Sequence, residues 1–126
     1  MPAEPASASD SIARLRLART RGIGPVTFRQ LLQRFGDAAS ALAAIPDLAR
    51  RGGGTPPGIA TVDAAEREID AVARMGGRHL FVGQGLYPSI LAQIDTAPPV
   101  LIARGKLALL DPPALAMVGA RNASAA

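Results

Sequence analysis

The pattern of apolar residues changes at Gly76-Gly77, and that change constrains the fold more than any other feature. Before it, apolar residues recur at helical spacing between glycine and proline stops. After it, they come in short unbroken runs. Asp10 or Ser11 can cap a first helix carrying Ile12, Leu15 and Ala18, which Gly22 ends. Pro25 suits the first turn of a second helix, whose stripe is Phe28, Leu31, Leu32 and Phe35. Gly36 closes that helix and Asp37 can cap a third with Ala38, Leu42 and Ile45, stopped by Pro46, with one more turn over Asp47 to Arg51. A loop of glycine and proline follows, and then a helix from Thr61 to Met75 with Val62, Ala65, Ile69 and Val72 inward.

Beyond Gly77 the strand candidates are His79–Val82, Val100–Ala103 and Leu115–Val118, with a short helical stretch opened by Tyr87-Pro88. Runs without polar alternation suit a sheet buried on both faces. The expected fold is α/β overall: an all-α N-terminal part over 11–75, then the first strands of an α/β domain over 76–126. Residues 1–10, rich in Ala, Pro and Ser, are expected to form a flexible tail. The last strand runs into the Gly-led turn Gly119-Ala120-Arg121-Asn122. A strand, phosphate loop, helix and return strand needs roughly 30 residues, and eight follow Val118. The chain therefore reads as part of a longer protein.

Several classes are excluded. There is no cysteine, so neither a disulfide frame nor a thiolate metal site can form. His79 is the one histidine, which excludes a multi-histidine centre; beside Leu80 at a strand edge it reads as structural. No metal or cofactor is expected. No apolar run is long enough for a membrane span, and the N-terminus lacks the pattern of a signal peptide, so the cytoplasm is the expected compartment.

Charge is unevenly placed. Residues 1–51 hold eight arginines against four acids, while residues 52–126 balance six bases with six acids. Arg14, Arg16, Arg19, Arg21, Arg29 and Arg34 fall between Ser11 and Gly36 without one acid among them. Such a stretch attracts a polyanion, or is an ordinary solvated face. Glu66, Glu68 and Asp70 lack evident partners and read as a solvated face of the fourth helix.

Two constellations could carry function. In the first, Arg21-Gly22-Ile23-Gly24-Pro25 joins two helices, as in a helix-hairpin-helix. Glycines permit close backbone approach, and the next helix N-terminus offers free N–H groups to a phosphate. Thr27 adds a hydroxyl and Arg29 a charge. Gly22 as a simple C-cap in a packing hairpin is the alternative. In the second, Gly119 allows close approach, Arg121 supplies a forked donor, and Ser124 offers a hydroxyl or an N-cap.

Tyr87-Pro88-x-x-Leu91-x-x-Ile94, Pro99-x-Leu101-x-x-x-Gly105 and Met117-Val118-Gly119-Ala120-Arg121-x-x-Ser124, with Gly22-Ile23-Gly24-Pro25 upstream, resemble the bacterial DNA-processing protein A family (DprA, also called Smf). The likeness runs from about Ser11 to Ala126. Departures are Ala120 for a serine, Gln84 for an acid, and Ala126 for an aromatic. The resemblance implies a helix-hairpin-helix (SAM-like) domain followed by a truncated Rossmann-like domain. It also implies single-stranded DNA as ligand, the RecA recombinase as partner in natural transformation, and a homodimer formed through the Rossmann-like part. Catalysis is not implied. Gly119, Arg121 and Ser124 would belong to the phosphate site. A Rossmann-type nucleotide enzyme and a helical protein-interaction module are the rival readings; no Gly-x-Gly-x-x-Gly supports the former.

Overall fold

Ser7 begins the first helix. Its hydroxyl accepts the Asp10 N–H at 3.2 Å and caps α1 (Ala8–Arg19). This computed structural model describes residues 7–122. The helix therefore starts earlier than the sequence suggests, and residues 8–10 belong to it; residues 1–6 of the expected tail lie outside the described range. Asp10 is a first-turn acid instead of a cap, and its carboxylate holds Arg14 Nε at 2.9 Å.

Helix α2 (Pro25–Phe35) ends at Gly36, whose N–H reaches the Leu32 carbonyl at 2.8 Å with φ +88°. That left-handed backbone suits glycine alone among ordinary residues. Asp37 then caps α3 (Ala38–Arg51) by accepting the Ser40 N–H at 2.7 Å. Pro46 does not stop α3. It removes one N–H from the ladder, yet the last turn persists because Leu48 packs on the core and Arg50 pairs with Asp47. Thr61 caps α4 (Val62–Arg74) through the Ala64 N–H. Ala65 and Val72 are buried as expected, but Val62, at the first position of the helix, is exposed.

Two strands follow, β1 (Gly77–Phe81) and β2 (Val100–Arg104), with α5 (Ser89–Ala92) between them and a 3-10 turn at Leu107–Leu110 after them. They pair antiparallel, from Gly77 opposite Arg104 to Phe81 opposite Val100. Tyr87 closes the connection: its buried hydroxyl donates to the Pro98 carbonyl at 2.7 Å. The third expected strand does not form. Leu115, Met117 and Val118 are each more than 90% exposed and pair with no strand among the described residues. An apolar run has no ladder to join without a neighbour's N–H and C=O groups.

Burial on both faces is realised in β1. Leu80 and Val82 join α1, α2 and α3 in the larger core, with Phe28 and Leu17 fully buried there. Phe81 points the other way, onto Leu15 of α1 and Ala65 of α4. Consecutive strand residues face opposite sides, so the unbroken apolar run is what a strand between two layers requires. Helix α1 also serves both layers: Ala13 and Leu17 face one, Ile12 and Leu15 the other. Helices and sheet thus share their cores.

Candidate nucleic-acid interface

The α1–α2 hairpin turns at Thr20–Ile23, where the Ile23 N–H bonds the Thr20 carbonyl at 3.2 Å. Gly22 takes φ +87°, so its glycine is a backbone requirement. Replacing it with alanine is expected to cost about 1–2 kcal/mol, read from thermal unfolding. Thr20, missed by the sequence reading, braces the turn from behind. Its hydroxyl donates to the Arg16 carbonyl at 2.7 Å and accepts the Ala60 N–H at 3.3 Å. Gly24 is the N-cap of α2, and no side chain caps that end. A side chain at Gly22 or Gly24 would meet nothing within 4 Å. Arg21, Gly22, Gly24 and Thr27 are all exposed. The hairpin therefore offers an open, uncapped helix start with one cation beside it.

The arginine stretch is another matter, because the fold supplies the partners that local sequence lacks. Arg14 holds Asp10, and Arg16 Nε donates to the Ala60 carbonyl at 2.8 Å. Arg19 grips Glu68 through Nε at 2.8 Å and a second nitrogen at 3.3 Å. Arg29 turns away from the hairpin to donate to the Ala92 carbonyl at 2.5 Å, tying α2 to the end of α5. Arg34 lies over the Phe35 ring at 5.2 Å. Of the six, Arg21 alone is exposed without such a contact. Two of the six are thus paired with carboxylates, and three more are held on a carbonyl or a ring, so most of the stretch is engaged in internal contacts. Arg29→Ala should destabilise the chain by about 1–3 kcal/mol, since it leaves a part-buried carbonyl unmet; denaturant titration reads this.

Glu68 and His79 are not bystanders. Glu68 takes Arg19 on one side, and on the other its Oε2 lies 2.7 Å from His79 Nε2. The His79 side chain is 6% exposed and its ring stacks on Phe81. These contacts join α1, α4 and β1. One signal was available: Glu68 sits three residues after Ala65 and four before Val72, on the edge of the buried stripe. Burial pushes the Glu68 carboxyl up, but hydrogen bonds and charge from Arg19 and His79 outweigh it and hold the group below its ordinary 4.5. A depressed folded-state value means stability is present above that pH and is lost as pH falls through the lower folded value. Glu68→Gln should therefore lose stability at neutral pH and show a shallower acid limb in unfolding followed from pH 7 to 3.

Gly119 and Arg121 are exposed, and Arg121 begins a turn. Ser124 lies outside the described residues. Among the described residues, no hydrogen bond or core contact joins this segment to the hairpin. A cleft of about 670 Å³ lies elsewhere, between the Gly83–Tyr87 turn and the 3-10 turn, with Asp111 as the one carboxylate among its described lining residues. No group of three acids or histidines gathers to hold a metal among the described residues, and no described helix is long and apolar enough to cross a membrane.

Two family models match the chain in tandem. Residues 8–71 match the DprA-like N-terminal HHH domain, and residues 78–126 match DNA recombination-mediator protein A. No curated relative matches the chain. The first match spans α1 to α4 up to its last turn; the second spans β1 from its second residue, β2 and the Gly119–Arg121 loop. With four helices followed by a small antiparallel sheet, the chain belongs to the DprA family of DNA recombination mediators.

Proposed function

We propose that the chain binds single-stranded DNA through its phosphate backbone and assists a RecA-type recombinase during recombination or natural transformation. Its setting in this reading is the cytoplasm, within a homodimer. The two modules are residues 11–75 and 76–126. The tandem family matches carry the proposal. Exposed Arg21 beside the uncapped start of α2, and exposed Arg121 after Gly119, are chemically suited to phosphate. For the hairpin alone a second reading has support: internal use of Arg14, Arg16, Arg19 and Arg29 favours a packing or protein-docking element.

The test is fluorescence anisotropy with a labelled oligodeoxythymidylate, titrated at several salt concentrations. Arg121→Ala and Arg21→Glu should each weaken binding. Loss of one phosphate contact should also flatten the dependence of log affinity on log salt by about 0.7. Arg21 is the right hairpin probe, because a change at Arg29 would also break its bond to Ala92. Unchanged affinity and slope for Arg121→Ala would remove the Gly119–Ser124 loop from the site. Competition by free nucleotide at low concentration would favour the enzyme reading.

A further inference from the structure

The C-terminal half is neutral in sum, but the fold segregates its charges. Four of its six acids, Asp63, Glu66, Glu68 and Asp70, lie on α4, and Glu68 is already occupied by Arg19 and His79. From Ala71 to Leu110 one acid, Asp95, stands against Arg74, Arg78, Arg104 and Lys106. Along the chain those four cations flank one end of the β1–β2 ladder, where β1 begins and β2 ends. Arg74 is the last residue of α4, three before Gly77. Gly77 pairs with Arg104 and Arg78 with Ala103. Arg104 also leans over the α4–β1 turn, its Nε 3.9 Å from where a side chain on Gly76 would begin. Gly105, at φ +114°, turns the chain and Lys106 follows directly. All four are exposed, and none makes an ion pair among the described residues.

We infer that this end of the ladder is a phosphodiester-binding surface for single-stranded nucleic acid, separate from the hairpin and from the Gly119–Arg121 loop. The inference rests on the DNA-binding reading above and places a site for it. Paired residues share a face of a ladder and neighbours alternate, so Arg78 and Arg104 lie on opposite faces. Charge therefore wraps the end of the sheet, which suits a strand of successive phosphates better than one small anion. No aromatic residue lies among positions 74–78 or 104–106. Binding there is electrostatic, insensitive to base sequence and steeply dependent on salt. A purely structural role is the competing account: Arg74 and Arg104 could serve the negative C-terminal end of α4.

The experiment uses the full chain, a labelled oligodeoxythymidylate, and two variants. One carries Gln at 74, 78, 104 and 106 (Arg74→Gln, Arg78→Gln, Arg104→Gln, Lys106→Gln). The other keeps the charge (Arg74→Lys, Arg78→Lys, Arg104→Lys). Four lost phosphate contacts should take about 2.8 from the salt slope, so the variant's affinity falls about fiftyfold less than wild type between 50 and 200 mM salt. The Lys variant should keep the slope. If wild type binds and the Gln variant keeps its slope, the site is wrong while the DNA-binding reading stands. A slope lost equally in the Lys variant assigns the arginines a structural role and overturns the site. No binding by wild type at low salt defeats both.

Discussion

Phe28→Ala is expected to remove about 3–5 kcal/mol of stability, the range for emptying a large aromatic site in a core. Phe28 is fully buried and lies in the cluster that joins α1, α2, α3 and β1. There is little to fill the space. The chain has four aromatic residues, and the buried neighbours are mostly leucine and alanine, held by three helices at once. Partial collapse would have to move α2, which Arg29 ties to the Ala92 carbonyl. Since small domains hold only about 5–15 kcal/mol in all, this substitution should leave the chain marginal. Chemical denaturation measures it; a cost below about 1 kcal/mol would mean that Phe28 is not part of a close-packed core.

Leu80→Ala should act at a distance. Leu80 is a strand residue, 5% exposed, packed in the same cluster as Phe28 and Leu42. Its loss should cost about 2–5 kcal/mol and weaken the helices together with the sheet, because one cluster serves both. Amide hydrogen exchange distinguishes the possibilities: protection should fall across α2 and α3 as well as β1 and β2. A drop confined to the strands would mean that helices and sheet are separate cooperative units, whatever contacts join them.

What could be read from the sequence was local. Gly36 and Pro25 bound α2 where they stand, and the stripe Phe28, Leu31, Leu32, Phe35 is the one that packs. Two corrections came from tertiary competition. Pro46 is a strong stop by local rules, but Leu48 gains the core by continuing α3. Leu115–Val118 has the composition of a strand, yet strand formation depends on a neighbour. Charge was least legible. Arg19 meets Glu68 across 49 positions and Arg29 meets Ala92 across 63, distances over which composition carries no signal. Pairing across the ladder likewise sets Arg104 opposite Gly77, at the end of the sheet where Arg74 and Arg78 stand in sequence. Of the expected site residues, Arg21, Gly22, Gly24, Thr27, Gly119 and Arg121 are exposed, and Arg29 is half-buried on the Ala92 carbonyl.

Contact with nucleic acid through unneutralised surface cations is the proposed role of this chain of the DprA family. It is tested most directly by the salt dependence of wild-type binding to a labelled oligodeoxythymidylate. With four to six phosphates neutralised, log affinity should fall linearly with log salt at a slope of about −3 to −4. Affinity independent of salt, or no binding at low ionic strength, would contradict the account.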